Sequence, residues 1–409
     1  MSHAGHLGFS KALQETFIAY AFDLLGLAAG FLLAYQLGVF RFTPWAIALY
    51  PAVLGAKGVI EGLLSGRLST ALHLGTVHPR FSKNTPSFYN LIEAVIILTL
   101  ITSVAMSAIS LVFGNLFWGI TFFDFPAILG VVTATMTLGL GLLVVTAKIA
   151  FFSFKRGLDP DIMVYPVMSA FAAIFITLCY FVTLHLFSSS WGIWVIAALG
   201  VADLLAVLYI FPKKMHEPEF IKTIKQSLAA LMIVAIIVNI TGTLLKGIDD
   251  RFVRTTGRID VFLVYPAAIG LISDVGSVVG STATTKLALG LLRPKLSSIL
   301  KHAKSIFTSW IVSVVMFTVL ATIAFLMHGV TTGTFTLEFF LSRLSLLLTA
   351  NLIAVTLIVI LSFAVSIVTF QKGLDPGNFV IPITNSFAAS ITTMAFLTAL
   401  ILLKFAAII

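Results

Sequence analysis

Long apolar runs follow one another along the whole of this 409-residue chain. "LIEAVIILTLITSVAMSAISLVF" (91–113) is one of them. Each reaches roughly 20 residues, enough to cross a hydrocarbon core of about 30 Å as a helix. No water reaches backbone N–H and C=O groups in that core, so a spanning segment satisfies them within a helix or a closed barrel. Barrel strands alternate apolar and polar positions over about ten residues, and these runs do not alternate. The chain is therefore expected to be an all-α polytopic membrane protein with the lipid bilayer as its first partner. Composition agrees, with 59% apolar residues, 10% charged and a mean hydropathy of +1.10.

Several function classes drop out early. The formal charge of +9 is scattered through the loops between runs, where topology explains it without a nucleic-acid partner. Cys179 stands alone, so neither an internal disulfide nor a cysteine metal cluster can form. The opening "MSHAGHLGFSKALQ" lacks the basic-then-apolar design of a cleaved signal peptide, and the first span is expected to insert by itself. Loops no longer than about twenty residues leave no place for a soluble domain. His73 and His78 lack metal-ligand helical spacing and no nucleophile–base pair is evident, so neither an enzyme nor a bound cofactor is expected.

Eleven spans are predicted, near 15–38, 43–65, 86–114, 124–153, 160–187, 191–211, 221–245, 259–281, 300–327, 337–369 and 376–403. A cytoplasmic N-terminus puts sixteen Lys and Arg on the inner face and seven on the outer, which favours that orientation in the cell membrane and an extracytoplasmic C-terminus. Lys57 and Lys148 fall inside spans.

Two segments recur. "YPAVLGAKGVIEGLLSGRLSTALHLGTVHP" (50–79) pairs with "YPAAIGLISDVGSVVGSTATTKLALGLLRP" (265–294) at an offset of 215. "FKRGLDPDIMVYP", ending at Pro166, pairs with "FQKGLDPGNFVIP", ending at Pro382, at an offset of 216. Two matches in one order at nearly one offset mark a duplication. The chain is read as repeat 1 (1–190), a linker helix (191–215) and repeat 2 (216–409), with five spans in each repeat. An odd unit would leave the second copy inverted, and the linker span restores its direction. Two parallel halves about a pseudo-twofold along the membrane normal are expected, so that one chain works as a monomeric pseudo-dimer. An inverted arrangement stays open and requires one missed or spurious span.

The repeated "GLDP" reads as a tight helix–helix corner. Gly157 and Gly373 suit the left-handed position that ends a helix, and Asp159 and Asp375 cap the next one, with Pro160 and Pro376 as its first residues. The aspartates at the mouth of a cation pathway are the alternative. Pro51, Pro166, Pro266 and Pro382 lie inside spans, where each frees a carbonyl one turn earlier that must face protein or a wet cavity. Paired prolines point to a permeation site, or to plain packing kinks. Gly58, Gly62 and Gly66, with Gly276 and Gly280, form small-residue faces suited to close helix packing, compatible with the two helices meeting near the axis.

Ionisable groups at membrane depth cost about 2.5–3.5 kcal/mol and mark pathways by default. Asp23 and Asp203 are read as partnered structural groups, and Glu93 as interfacial. Lys57 and Glu61 are four apart on one face and can neutralise each other. Asp274, with Ser273 and Ser277 nearby, has no cation in its own helix and is the strongest candidate cation ligand. Glu61 aligns with Gly276 and Asp274 with Val59, so the two carboxylates point about 200° apart on equivalent helices.

"PAVLGAKGVIEGLLSGRLSTA" resembles the second-helix signature of the MgtE family of magnesium transporters, in particular its duplicated solute-carrier branch. Pro51, Ala52, Gly55, Lys57, Gly58, Glu61, Arg67, Leu68, Ser69 and Thr70 carry the likeness. Val59 stands where that pattern has Asn, and Asp274 takes the same place in the second half. "GLDPDIMVYP" and "GLDPGNFVIP" are similar to the family's approach to the fifth helix. The resemblance implies a cation path between two five-helix units, lined by the second and fifth helices, with an ion-holding aspartate on the fifth. Ala173 and Ala389 stand at that aspartate's place. Ser169, Asn385 and Ser386 remain nearby as neutral oxygen donors, and the cytosolic regulatory domains of bacterial members are not expected here.

The expected function is a divalent-cation transporter or channel, with Mg²⁺ or another divalent ion as substrate. Asp274, Glu61, Asn385, Ser386, Ser169 and Ser273 are the candidate ligands. Pro51, Pro266, Pro166, Pro382, Gly58, Gly62 and Gly276 shape the pore. A proton-coupled transporter of another solute and a transport-inactive scaffold stay open.

Overall fold

A computed structural model describes residues 9–35, 45–158, 160–248, 260–374, 376 and 379–405. Asp159 and Asp375 lie outside the described residues, as do the side chains of Gly58, Val59, Glu61 and Pro166. The first span is two helices, α1 (Phe9–Ala21) and α2 (Gly26–Tyr35), joined by a 3₁₀ turn over Phe22–Leu25. Then follow α3 (Ala46–His73), α4 (Pro86–Phe113), α5 (Phe125–Gly139), α6 (Leu142–Lys155), α7 (Pro160–Phe187) and α8 (Gly192–Lys214). The second half holds α9 (Pro218–Ile248), α10 (Asp260–Ala288), α11 (Ala303–Thr332), α12 (Leu337–Gln371) and α13 (Val380–Phe405). Eleven segments among the described residues are long and apolar enough to cross a membrane. No strand occurs among them.

Local chemistry explains the element ends. Pro86, Pro160 and Pro218 open α4, α7 and α9, where a missing N–H leaves no bond unmade. The "GLDP" corners behave as left-handed caps, with φ of 69° at Gly157 and 67° at Gly373. Leu158 N–H reaches the Ser153 carbonyl at 3.1 Å, and Leu374 N–H reaches that of Thr369 at 3.0 Å, the same bond displaced by 216 residues. The turns after α3 and α10 match as closely, with Gly75 bonded to Leu72 and Gly290 to Leu287. Buried hydroxyls inside spans mostly turn back to their own helix, as Thr99 does to the Val95 carbonyl, so they cross apolar depth bonded.

The packing crosses between the halves. One core joins α3–α7 with Phe220, Leu231, Val234 and Val238 of α9. The other joins α10–α13 with Ala19 and Tyr20 of α1. The opening helices of each half thus complete the core of the other: α1 lies on α11 and α2 on α10, while α9 lies on α3 and α4. Two glycines permit this. A Cβ on Gly30 would run into the Leu263 carbonyl, and one on Gly242 into that of Ala48. Leu263 and Ala48 each stand three residues before the proline of their helix. Each of the two packed cores thus draws helices from both halves of the chain.

The glycines of α3 and α10 pack closely against other helices. Gly55 faces Val238 of α9, Gly62 faces Ile381 of α13 and Tyr165 of α7, and Gly276 faces Ile358 of α12. Helices from the rest of the bundle occupy those faces, so close approach is made there and not across the centre. The linker helix α8 is almost wholly exposed along its apolar length, with Trp194 77% and Tyr209 66% exposed, as a lipid-facing helix should be. Thr137 on α5 donates to Asp203 at 2.6 Å, which gives that carboxylate its partner. At the end of α8, Lys214 bonds Glu217 and Asn90, both at 2.8 Å, and lies 3.4 Å from Glu93. The hydrogen bond from that ammonium holds the Glu217 carboxyl below the usual carboxylate range.

Candidate functional site

A small cavity lies where α3, α7, α10 and α13 converge with the 3₁₀ turn of the first span. Its volume is about 30 Å³, room for one or two waters. The wall is built from matching residues of the two halves: Tyr50 and Tyr265, Pro51 and Pro266, Leu54 and Ile269, Gly55 and Gly270, Ser169 and Asn385, Ala173 and Ala389. Each half ties its second helix to its fifth in the same way. Tyr50 OH meets Thr177 Oγ1 at 2.9 Å, and Tyr265 OH meets Thr393 Oγ1 at 2.6 Å. Each threonine in turn donates to the carbonyl of the cavity alanine, Thr177 to Ala173 at 2.6 Å and Thr393 to Ala389 at 2.7 Å.

The polar groups break this match. From the first span comes Asp23, 1% exposed and placed by the 3₁₀ turn. Its Oδ1 packs where a Cβ on Gly270 would be, 2.7 Å away, so the missing side chain on α10 makes its cradle. The corresponding glycine of the other half, Gly55, meets the apolar Val238 instead. Lys57 enters from α3, 5% exposed, and its Nζ donates to the Ser169 carbonyl at 2.9 Å. Its counterpart on α10 is Ile272. Asn385, 6% exposed, accepts from Ser273 Oγ at 3.1 Å, and Ser273 also meets Tyr165 OH at 2.9 Å. The Asn385 Nδ2 group has no hydrogen-bond partner in the protein.

The candidate ligands are therefore only partly brought together. Ser169 and Asn385 line the cavity, and Ser273 stands one hydrogen bond behind Asn385. Ser386 is buried and spends its hydroxyl on the Pro382 carbonyl at 2.8 Å. Asp274 is fully buried one turn beyond Gly270 on α10, outside the cavity wall. Tyr20, fully buried on α1, lies within electrostatic reach of both Asp274 and Asp23. Of the prolines, Pro51 and Pro266 line the cavity, whereas Pro382 is buried behind it.

Asp23, read from the sequence as a partnered structural group, lies in the cavity wall. Its only signal was a carboxylate in an otherwise apolar span, and its position follows from the crossing of the first span to α10. Every polar atom that could meet an ion here, save the amide and ammonium nitrogens, is oxygen, which suits a hard cation. No cluster of three or more His, Cys, Asp or Glu occurs among the described residues.

Neither a curated protein nor a solved structure matches the chain. The sequence profile of the MgtE family, described as a divalent cation transporter, matches it twice, over residues 50–183 and 265–399. The two matches begin at Tyr50 and Tyr265, together cover more than half the chain, and contain the alanines, tyrosines and threonines that frame the cavity. On that footing the chain belongs to the MgtE family of divalent cation transporters, with the family segment present in two copies.

Proposed function

We propose that this protein moves a divalent cation, Mg²⁺ foremost, through the central cavity between its two halves. The observation that carries this reading is the paired wall, in which the two family segments supply matching residues to one closed space. The halves are read as parallel about a pseudo-twofold along the membrane normal, with the N-terminus cytoplasmic and the C-terminus outside. One chain then does what two five-helix subunits would do.

Carboxylate is moved from the fifth helix to new places. Asp23 supplies one charged oxygen ligand at the cavity, and Asp274, one turn farther along α10, supplies a second negative charge. Ser169 offers a neutral oxygen, and rotation of the Asn385 amide would present another while its nitrogen takes the Ser273 hydroxyl. Mg²⁺ keeps most of its water and needs only one or two carboxylates. A cavity with room for one or two waters represents a closed state, and helix motion at the 3₁₀ turn of the first span would widen it.

Uptake of Mg²⁺, Mn²⁺, Ca²⁺ and Co²⁺ into proteoliposomes tests this reading. The parent should transport at least one of them, and Asp23→Asn and Asp274→Asn should each lower the rate at least tenfold, since a hydrogen bond or contact to a charged group is worth about 1.5–3 kcal/mol. Glu61→Gln belongs in the same series. Flux left unchanged by both aspartate substitutions would remove these two ligands. A second reading, coupling to protons, is favoured by the full burial of Asp274 one turn from the cavity residue Gly270. It requires that uptake respond to an imposed pH gradient and that Asp274→Asn abolish the response.

A further inference from the structure

One group in the wall has the wrong sign for a cation path. The Lys57 ammonium reaches across from α3 to α7 and donates to the Ser169 carbonyl at 2.9 Å, one helical turn before Ala173. A main-chain carbonyl beside a polar cavity is what a partly dehydrated cation takes as a ligand. An ammonium is a compact point charge with three donors, so at that carbonyl it stands in for such an ion. The other half has Ile272 at this position, and among the residues that line the cavity Lys57 carries the one ammonium and Asp23 the one carboxylate.

We infer that Lys57 is a tethered cation that holds the transported ion's place at the Ser169 carbonyl in the closed state, and that only a doubly charged ion displaces it. The inference rests on the reading of this cavity as the cation path. Its stem anchors the ammonium to α3, so its effective concentration at the carbonyl is far above that of a free monovalent ion. A monovalent ion offers no more charge than the ammonium it would replace. A divalent ion is drawn to Asp23 about twice as strongly at equal distance. Lys57 thus sets both the affinity of the site and its preference for doubly charged ions. The bland alternative is an ion pair with Glu61, four residues along α3, that merely braces the helix.

Purified protein in detergent, titrated with Mg²⁺ alone and followed by thermal stability, separates the two. Lys57→Met removes charge and donor, and Lys57→Gln removes the charge while keeping an N–H for Ser169, so the glutamine variant carries the test if the methionine variant does not fold. Lys148→Gln removes the same charge from an exposed position on α6 as a control. The expected result is at least tenfold tighter Mg²⁺ binding in the neutral Lys57 variants, with Na⁺ now competing against Mg²⁺ as it does not in the parent. A parent that binds Mg²⁺ with Lys57 variants that bind it equally or less well overturns this inference alone. A parent and variants that bind none of Mg²⁺, Mn²⁺ and Co²⁺ overturn the transport reading and the inference together.

Discussion

The two walls of the central cavity have the same frame and opposite furniture. In each half a tyrosine on the second helix bonds a threonine on the fifth, and that threonine holds the carbonyl of the cavity alanine. The helix corners and loop bonds repeat at the same offsets. The charges do not. Gly270 cradles Asp23, and Asp274 follows on the same helix, whereas Gly55 meets Val238 and the first-half helix carries Lys57. A homodimer presents identical residues on both sides of its axis. Joining the copies in one chain removes that constraint, and here both charged side chains in the wall, Asp23 and Lys57, come from the first half.

The crossing of the first helices is the part of the frame most open to attack. Gly30→Ala and Gly242→Ala each force a methyl into a neighbouring carbonyl, and overpacking of this kind costs about 1–3 kcal/mol. Both variants should lose thermal stability in detergent by similar amounts. A loss in only one would mean that the two crossings are not equivalent supports.

Next in size is a pair that separates frame from charge. Gly270→Ala pushes on the Asp23 carboxylate and should slow divalent uptake about tenfold, or roughly 1.4 kcal/mol. Gly55→Ala pushes on Val238 and should lower stability while the uptake per folded molecule stays near that of the parent. Equal transport defects in both would show that the glycines act through packing and that the charge asymmetry is incidental.

The smallest effect is the most symmetrical one. Tyr50→Phe and Tyr265→Phe each delete one buried inter-helix hydrogen bond, worth about 0.6 kcal/mol by analogy with other membrane helices. Matching shifts in melting temperature would support the shared frame, and a large difference would argue that one tie has been taken over by function.

Much of the frame was legible before any coordinates. The positive φ of Gly157 and Gly373 was written in "GLDP", because only glycine takes that position without strain. The span count followed from hydropathy, because lipid allows a spanning chain little but helix. Ala173 and Ala389 were singled out because the family resemblance has an aspartate at their place, and both line the cavity. The placing of the charged residues was less legible. Asp274 looked like the foremost ligand because no cation lies in its predicted span; it is fully buried one turn along α10 from Gly270 and is not among the residues that line the cavity. Asp23 looked like a partnered structural group, and it is the carboxylate among the residues that line the cavity. Helical periodicity places a residue on a face, and which neighbour that face meets depends on how distant segments pack.

By itself the sequence determined the helical class, the duplication and the corners, because each follows from local rules of solvent, backbone geometry and repetition. Only the tertiary structure decided that the opening helix of each half completes the core of the other, since that depends on glycines meeting carbonyls more than 190 residues away. The same crossing decided that Asp23 and Lys57 share one cavity, because their separation in space is set by helix packing and not by the 34 positions that separate them in the chain.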